Sequence, residues 1–456
     1  MIVSLYTKLV SSVIFPLHEK LKSHTSVSML REMEEVQWWP KEKILELQLH
    51  KLKTFLLDIN EHVPYYKALF SKLAFNPNDL ISIKDLERLP LLEKPIIRDH
   101  LEELKRDGCG ELVRYNTGGS SGIPLVFYIG KGRSSHDVAS KWRATRWWGV
   151  DIGDPEIVVW GSPIEVDGQD RVKAVRDKLL RSKLLPAFEM NEKTVAGFIK
   201  SINDYKPKMI FGYPSALTHI ANYALRKGVS FKRADLKVAF VTSEKLYEKQ
   251  RETIERVFAC PVANGYGARD AGFIAHQCPF GEMHITADDI VVEIVDARGR
   301  QLPSGRYGEI VITHLATGDF PFVRYRTGDV GALSDEQCAC GRGLPLLKDV
   351  QGRTTDFVVA KDGTVMHGLA LIYAVRDISE IEQFKIVQEN IGLTRLLINP
   401  GAGFSDVIKS DIIAKFKARL GEDVEVIVDL VDKIPEEKSG KFRYVVSKVS
   451  VDNYDA

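Results

Sequence analysis

Hydrophobic residues in the first hundred positions recur at helical spacing. Within residues 41–61, apolar side chains stand at positions 44, 45, 47, 52, 55, 56 and 59, which predicts one long amphipathic helix. Pro64-Tyr65-Tyr66 is expected to end it, and residues 79–89 predict another helix. Residues 1–17 are mildly apolar but are broken by Lys8 and Pro16. They predict a helix that packs on the body of the protein or, as the alternative, touches a membrane.

The middle of the chain alternates short apolar runs with helical segments. The runs at 156–160, 209–212 and 238–242 predict buried strands, and the segments between them predict helices. Such alternation is typical of an α/β domain with a largely parallel sheet. Ligands of these sheets bind at the carboxyl ends of the strands. Tyr213, Ser243 and Tyr266 are expected to follow directly after such strands.

The pattern changes after about residue 284, where short strands at 289–295, 308–313 and 322–326 predict a β-subdomain. A tail of about a hundred residues then alternates strand and helix, as a separate domain would. The predicted fold is α/β, with a large N-terminal α/β domain, its β-subdomain and a small α+β C-terminal domain. Residues 1–104 form the helical N-terminal part of the large domain, residues 105–352 its core, and residues 353–456 the C-terminal domain.

Composition narrows the class of protein. A chain of 456 residues is too long for one compact core. Its formal net charge of +1 argues against a general nucleic-acid binder, and no apolar run is long enough to span a bilayer. Five cysteines in this length do not form a disulfide framework, so a reducing, cytoplasmic location is expected. The oligomeric state cannot be inferred.

A run of small residues at 117–122 lies between two extended segments, 112–115 and 125–128. The sequence therefore predicts a β-hairpin with a flexible tip. Small residues can present several backbone N–H groups to phosphate oxygens. No Gly-Lys-Ser/Thr follows, so the segment is not a Walker A loop. A plain Gly/Ser-rich turn is the other interpretation.

Four further motifs follow in order. They are Gly-Tyr-Gly-Ala-Arg-Asp at 265–270, Tyr-Arg-Thr-Gly-Asp-Val at 325–330, Gly-Arg-Thr-Thr-Asp at 352–356 and Ser-Gly-Lys at 439–441. With the glycine loop, they resemble the adenylate-forming superfamily of acyl- and aryl-coenzyme A ligases. The likeness is closest to the phenylacetate–coenzyme A ligase family, especially its branch among capsular polysaccharide biosynthesis proteins. It extends to residues 62–66 and 89–94, so it covers nearly the whole chain.

The resemblance implies ATP, Mg²⁺ and coenzyme A as ligands and a carboxylic acid as substrate. The phosphate loop would be Thr117, Gly118, Gly119, Ser120, Ser121 and Gly122, and the adenine-lining residues Ser243, Glu244, Tyr266 and Gly267. Asp329 would accept the ribose hydroxyls, and Arg353 would contact ribose and phosphate at a hinge about which the C-terminal domain moves.

Three residues would act in catalysis. Asp270 matches the Mg²⁺-linked carboxylate, usually Glu in the family, and an oxygen ligand suits Mg²⁺. Lys441 matches the lysine that reaches the α-phosphate and the attacked carboxylate, with Arg353 beside it. Alone, Asp329 could be a turn residue and Lys441 a solvated charge. Trp160, Phe211 and Tyr213 lie near strand ends and could line the acid pocket.

The sequence departs from the family at Leu125, where many superfamily members carry Lys, and at Thr355, where an ionisable hinge residue is common. Residues 361–371 lack the usual glycine–arginine pattern of coenzyme A-competent ligases. Adenylation is therefore better supported than transfer to coenzyme A. An amine or hydroxyl acceptor, as in surface polysaccharide or secondary metabolite biosynthesis, is one alternative, and an inactive nucleotide-binding scaffold is another.

Three cysteines surround the predicted β-subdomain. Cys278, Cys338 and Cys340 with His284 make a Cys₃His set, a common shell of structural zinc. His276 is the rival imidazole, and unrelated buried thiols are the alternative interpretation.

Residues 171–183 carry six basic side chains and one acidic side chain. They predict a solvated helix face. The alternative is that these side chains guide the phosphates of coenzyme A or contact an anionic surface.

Overall fold

The computed structural model describes residues 4–116, 125–160, 171–187, 190, 192–229, 231, 235–296, 298–350, 357–362, 365–367, 369–372, 374–375, 378–434 and 445–449. Two compact units divide the chain. Residues up to Val350 form the larger unit, and the residues after it form the smaller one, with which Gly328–Val330 are also grouped.

The N-terminal region of the larger unit is helical, as expected. Its helices are Leu5–Leu9, Phe15–Leu21, Ser26–Val36, Lys41–His62, Pro64–Lys72 and Lys94–Asp99, with a π-helical turn at Val10–Ile14 and 3₁₀ turns at Pro77–Asp79 and Ile83–Arg88. The long helix is confirmed. No helix of the described residues is both long and apolar enough to cross a membrane.

The long helix ends at His62, directly before Pro64-Tyr65-Tyr66, as predicted. Pro64 itself begins a new helix, because proline fits the first helical turn, where its missing N–H costs nothing. One expectation for this region is wrong. The helix expected at 79–89 shrinks to a 3₁₀ turn. The Asp85 carboxylate accepts hydrogen bonds from the backbone of Ile81 and Ser82, which delays the start of the turn, and Pro90 follows its end.

Thirteen strands of the larger unit are described. They are β1 Val113–Asn116, β2 Val126–Ile129, β3 Glu156–Trp160, β4 Ser182–Pro186, β5 Met209–Gly212, β6 Val238–Thr242, β7 Val262–Ala268, β8 Gly272–Gln277, β9 Met283–Ile285, β10 Ile290–Val295, β11 Gly308–His314, β12 Tyr325–Ser334 and β13 Leu346–Lys348. Strands β1 and β2 pair antiparallel from Val113–Ile129 to Asn116–Val126. The expected hairpin flanks are therefore present, whereas residues 117–124 lie outside the described residues.

The other eleven strands form one sheet in the order β10-β11-β12-β13-β9-β8-β7-β6-β5-β3-β4. Strands β4, β3, β5, β6 and β7 run parallel, and β8 and β9 continue antiparallel. The β-rich part thus extends the edge of the parallel sheet. Helices that connect or flank the strands are Lys131–Trp147, Arg171–Leu180, Glu192–Tyr205, Pro214–Arg226 and Glu248–Phe258.

Three details differ from expectation. Strand β4 was not predicted, because Ser182 and Lys183 give it a polar start, which is tolerated at a sheet edge. Tyr266 lies within β7 and not after it. Strand β12 begins at Tyr325 and not at 322, because Arg324 has a left-handed backbone (φ 51°) that interrupts the extended conformation.

The smaller unit is also mixed α/β. Its strands are β14 Phe357–Val359, β15 Val365–His367, β16 Ile381–Asn390, β17 Leu393–Pro400, β18 Glu425–Leu430 and β19 Val445–Ser447, and its helices are Leu369–Ile372 and Asp406–Leu420. The sheet order is β18-β17-β16-β19, with β14–β15 as a separate hairpin. Phe416 and Leu420 of the long helix are buried against Leu396 and Ile398 of β17 in one core. The expected α/β fold with a C-terminal domain is confirmed.

Segment 321–326 of the larger unit is held by the two N-terminal motifs at 62–66 and 89–94. The Tyr66 hydroxyl donates to the Pro321 carbonyl (3.2 Å) and accepts from the Val323 N–H (3.3 Å). Leu92 pairs with Tyr325 as an isolated parallel bridge. These contacts explain why both motifs accompany the Tyr-Arg-Thr-Gly-Asp sequence in one chain.

Arg324 ties this segment to the sheet. Its side chain is 2% exposed and donates to both Glu293 carboxylate oxygens (3.1 and 3.2 Å) and to the Leu89 and Gly299 carbonyls (2.7 Å each). Burial raises the pKa of Glu293, and Arg324 opposes that rise. A buried pair of this kind is costly to break, because the remaining charge is left without compensation.

Removal of this pair should therefore destabilise the larger unit strongly. We expect Arg324→Met to cost about 3–5 kcal/mol of unfolding free energy, measured by urea denaturation. Arg300→Met is the matched control, because Arg300 pairs with Asp296 but its side chain is 64% exposed. Equal effects of the two substitutions would contradict a special role for Arg324. The double variant Arg324→Met/Glu293→Leu should recover part of the loss.

Candidate functional site

Three aromatic side chains stand together at the carboxyl ends of β3 and β5. The rings of Trp160 and Tyr213 stack at 4.2 Å and 22°, and Trp160 also contacts Phe211 at 5.7 Å. Phe211 is buried, whereas Trp160 and Tyr213 are half-buried. Parallel pairing of the strands brings these three expected pocket residues into one aromatic wall, which presents flat apolar surface at the ligand-binding edge.

Ser243 and Glu244 directly follow β6 at the same edge. Ser243 has a left-handed backbone (φ 71°), a conformation that costs a non-glycine residue free energy and is often found at functional sites. The Glu244 carboxylate accepts a hydrogen bond from the Ser215 N–H (3.1 Å), at the start of helix Pro214–Arg226, where negative charge is favourable. Glu244 therefore links the loops after β5 and β6.

Tyr266 and Gly267 lie on the next strand, β7. The Tyr266 ring is half-buried, and its hydroxyl contacts the Thr327 hydroxyl at 3.4 Å. The β7–β8 register shifts between Tyr266 and Gly267. A Cβ at Gly267 would lie 2.3 Å from the Gly272 carbonyl oxygen. Glycine is thus required here by close approach of the two backbones.

Asp270 lies in the tight connection between β7 and β8 and is 8% exposed. The Tyr325 hydroxyl donates to its Oδ2 atom at 2.6 Å. This short hydrogen bond orients the carboxylate and compensates part of its burial. The sequence identified Asp270 but not Tyr325, although Tyr325 opens the motif that contains Asp329.

Arg133 supports the same connection from helix Lys131–Trp147. Its Nε donates to both oxygens of Asp137 (3.0 Å each), and its Nη2 donates to the Arg269 carbonyl (3.2 Å). Burial alone would raise the pKa of Asp137, but Arg133 and His136 outweigh it, so the net pKa is lowered. His314 lies beside them, and burial lowers its pKa well below the ordinary value. Arg133, which is buried and paired with the half-buried Asp137, therefore fixes the backbone next to Asp270.

The remaining expected ligand contacts divide into two groups. Asp329 is half-buried on β12, after Gly328, whose positive φ of 77° suits glycine. The other group lies outside the described residues: the phosphate loop, Thr117, Gly118, Gly119, Ser120, Ser121 and Gly122, together with Arg353 and Lys441.

The three cysteines and His284 converge between β8, β9 and β13. Their ligand atoms all lie within 4.8 Å of one another. Cys278 Sγ is 3.6 Å from Cys338 Sγ, and Cys340 Sγ is 3.3 Å from His284 Nε2. Tetrahedral bonds of about 2.3 Å to sulfur place two thiolates about 3.8 Å apart, so this spacing fits zinc.

His284 is oriented as a metal-ligating imidazole. Its Nδ1–H donates to the Leu344 carbonyl (3.2 Å), which leaves Nε2 directed at the thiols. Burial lowers the pKa of His284 to about 4, so the ring is neutral at neutral pH. Burial raises the pKa of the Cys338 thiol to about 12. His276, the rival imidazole, is fully buried but does not belong to this cluster of described residues.

The chain is similar to several known proteins. A family model described as the CapK C-terminal domain matches residues 358–448. Protein CapK of Staphylococcus aureus is 24% identical over 89% of this chain and 90% of its own length. Phenylacetate–coenzyme A ligase of Thermus thermophilus is 26% identical over 72% of this chain and 74% of its own.

The chain is a homologue of CapK and of the phenylacetate–coenzyme A ligases. Its fold matches a crystal structure of 2-hydroxyisobutyryl-CoA ligase in the postadenylation state, with a TM-score of 0.73, 21% identity and coverage of 90% of this chain and 91% of that one. The expected resemblance is thereby confirmed. The relatives whose names give an activity are phenylacetate–coenzyme A ligases, which agrees with the expected ligase-like enzyme.

The hydrogen bond between Tyr325 and Asp270 gives a direct test of how this site is built. We expect Tyr325→Phe to lower the unfolding free energy by about 1.5–3 kcal/mol, as for a hydrogen bond to a buried charged group. Tyr307→Phe is the matched control, because its hydroxyl donates to Asp349 at the same 2.6 Å but the residue is 50% exposed. The control should change stability by less than about 0.5 kcal/mol. Similar values for both variants in urea denaturation would contradict this account.

Proposed function

We propose that the protein activates a carboxylic acid with ATP to an acyl-adenylate, releases pyrophosphate and passes the acyl group to coenzyme A. The observation that carries the proposal is the placement of Ser243 after β6, Tyr266 near the end of β7 and Asp270 in the β7–β8 connection, at the carboxyl ends of neighbouring strands. This is the edge at which α/β sheets bind ligands. Homology to acid–coenzyme A ligases supports the same reaction.

The nucleotide lies along this edge in our proposal. Ser243, Glu244, Tyr266 and Gly267 line the adenine, and the half-buried Tyr266 ring offers a face for stacking. The left-handed backbone of Ser243 supports a functional role, because residues in such costly conformations are often found at functional sites and Ser243 lies at the ligand-binding edge of the sheet. Glu244 acts by fixing the loop, since its carboxylate already caps a helix.

Two carboxylates complete the nucleotide site. Asp270 would hold Mg²⁺, because this cation takes one or two protein carboxylates together with phosphate oxygens, and the hydrogen bond from Tyr325 fixes the orientation of its carboxylate. Asp329 accepts both ribose hydroxyls, because one carboxylate offers two acceptor oxygens. The glycine loop, residues 117–122, holds the β- and γ-phosphates, and Arg353 contacts ribose and phosphate.

The first half-reaction builds up negative charge that the protein has to stabilise. A substrate carboxylate oxygen attacks the α-phosphorus, the bond to the bridging oxygen breaks, and pyrophosphate leaves with that electron pair. Negative charge gathers on the α-phosphate oxygens, where the Lys441 ammonium stabilises it. In the second half-reaction, the coenzyme A thiolate attacks the acyl carbon and AMP leaves. Movement of the C-terminal domain between the two steps is part of the proposal.

The acid contacts the wall formed by Trp160, Phe211 and Tyr213. Stacked rings at the strand ends favour an acid with a flat or apolar acyl group, because such a surface gains little from a charged one. The stacking of Trp160 on Tyr213 leaves both rings half-buried, so each has surface available for a ligand.

A second candidate acceptor is an amine or hydroxyl compound. One observation favours it: the family model that matches residues 358–448 is the CapK C-terminal domain, and the name CapK does not specify coenzyme A as the acceptor. Adenylation is common to both candidates.

Pyrophosphate release across a panel of carboxylic acids, with and without coenzyme A, tests both steps. We expect acid-dependent pyrophosphate release, and a thioester when coenzyme A is present. Pyrophosphate exchange without thioester formation would favour the amine or hydroxyl acceptor. No release with any acid would favour the inactive nucleotide-binding scaffold.

The same assay tests Lys441. We expect Lys441→Ala to lower adenylation by two or more orders of magnitude while ATP binding remains nearly intact. The control is Lys433→Ala, because Lys433 is an exposed lysine in the same part of the chain. Unchanged exchange in a folded Lys441→Ala variant would refute the assignment.

We also propose that Cys278, His284, Cys338 and Cys340 hold a structural Zn²⁺ ion. Four protein ligands would close the tetrahedral shell, so the ion would take no part in the reaction. It would join the β8–β9 turn to the segment before β13, which lie about sixty residues apart in sequence.

Zinc should therefore copurify at one equivalent per chain, and Cys338→Ser should lower both zinc content and thermal stability, since metal binding is linked to folding. Elemental analysis and a melting curve measure the two quantities. Cys109→Ser is the control, because Cys109 lies outside the cluster. Metal-free protein whose melting temperature equals that of zinc-loaded protein would contradict the proposal.

A further inference from the structure

An apolar stripe lies exposed along the N-terminal helices. Leu5, Leu9, Val13, Leu17 and Leu21 recur at every fourth position and are between 48% and 88% exposed. In a regular α-helix such a stripe drifts around the axis. The π-helical turn at Val10–Ile14, with its wider i→i+5 bonding, opposes that drift and keeps the stripe on one side.

The opposite side of these helices is anchored to the protein body. Val10 and Phe15 are buried in a core cluster with Leu30, Met33 and Trp142. The Thr7 hydroxyl donates to Asp154 at 3.0 Å. The stripe is therefore the outer face of a docked element.

Helix Arg171–Leu180 extends the exposed face. Val175 and Leu179 are exposed large hydrophobic residues, and the Tyr6 hydroxyl donates to the Leu179 carbonyl at 2.9 Å. The Arg181 guanidinium lies 5.4 Å from the Tyr6 ring. We name the seven residues Leu5, Leu9, Val13, Leu17, Leu21, Val175 and Leu179 the apolar face.

The exposed charged residues described on the helices that carry the apolar face are basic. They are Lys8, Lys20, Lys22 and Lys178, whereas the acidic Asp177 is half-buried and pairs with Arg176. Glu19, the acidic residue within residues 5–21, is 3% exposed and accepts hydrogen bonds from Ser26, His18 and His24. The negative charge of Glu19 is therefore buried and does not face the solvent. The whole chain has a net charge of only +1. The exposed lysines around the apolar face, which form its basic margin, are therefore a local concentration of positive charge.

A cavity of about 470 Å³ opens beside the same helix. Lys178, Arg181, Lys183 and Tyr205 contribute to its lining, with Asp177 as its acidic member. A cavity with three basic side chains offers charge-assisted hydrogen bonds to a phosphate group. It adjoins the apolar face through Arg181 and Leu179.

We propose that the apolar face and its basic margin dock on an anionic lipid bilayer. Exposed leucines flanked by lysines on an amphipathic helix are the combination that inserts into the interfacial region of a membrane while basic residues meet anionic headgroups. The 470 Å³ cavity takes a headgroup phosphate. A second copy of the chain is disfavoured as occupant, since a two-fold contact would bring Lys8, Lys20 and Lys22 of both copies together.

Vesicle flotation with the full chain tests this docking. We expect binding to vesicles of phosphatidylcholine with 30 mol% phosphatidylglycerol, and at least about tenfold weaker binding to pure phosphatidylcholine. Leu9→Glu/Leu17→Glu should lower binding to the anionic vesicles by about tenfold or more. Ile81→Glu, at a residue 82% exposed elsewhere on the larger unit, should leave binding unchanged.

A charge variant separates the two parts of the surface. Lys8→Glu/Lys20→Glu should weaken binding and reduce its dependence on salt, whereas Lys72→Glu, on helix Pro64–Lys72, should not. Melting curves establish that each variant is folded. Binding to neither vesicle would overturn the proposal. Self-association that Leu9→Glu/Leu17→Glu abolishes, without vesicle binding, would also overturn it and would identify a second copy as the occupant.

Discussion

The buried ion pair between Arg324 and Glu293 is the interaction on which the centre of the larger unit depends. Arg324 connects strand β10, Leu89 at the end of the 3₁₀ turn Ile83–Arg88 and the turn at Gly299. It directly precedes Tyr325, whose hydroxyl orients Asp270. A guanidinium with five donors can satisfy several acceptors at once, which no apolar residue of similar volume could do. Stability and the geometry of the candidate site are thus joined through two adjacent residues.

Regular elements with continuous apolar runs could be predicted closely from the sequence. Strands β3 and β6 begin and end at the predicted residues, because burial on both faces leaves a clear apolar run with turns at its ends. Strand β4 was not predicted, because its polar first residues resemble the end of the preceding helix. Arg324 escaped prediction because a lone arginine in a strand-like segment reads as a solvated charge.

The residues of the candidate site also fall into those that the sequence predicted and those that it did not. Asp270, Tyr266 and the cysteines stand in short motifs, so sequence spacing was enough to nominate them. Arg133 and Tyr325 could not be nominated, since the residues that they contact at the site are distant in sequence: Arg133 and Arg269 are separated by 136 positions, and Tyr325 and Asp270 by 55. The choice between His276 and His284 as zinc ligand was also open in the sequence, because both lie close to Cys278. It depends on β9, which turns His284 toward Cys340.

The turn that carries Asp270 is closed at both ends by glycine. Gly267 allows the two backbones to approach, and Gly272 has a positive φ of 86° with His314 beside it. The close approach at Gly267 and the positive φ of Gly272 therefore restrict how many residues can lie between these two glycines. One inserted residue would advance the chain by about 3.3 Å, which is more than the 2.6 Å hydrogen bond between the Tyr325 hydroxyl and Asp270 can tolerate. The length of this hairpin is accordingly a stricter requirement than the identity of its carboxylate, and an engineered exchange of Asp for Glu is more feasible there than any change in loop length.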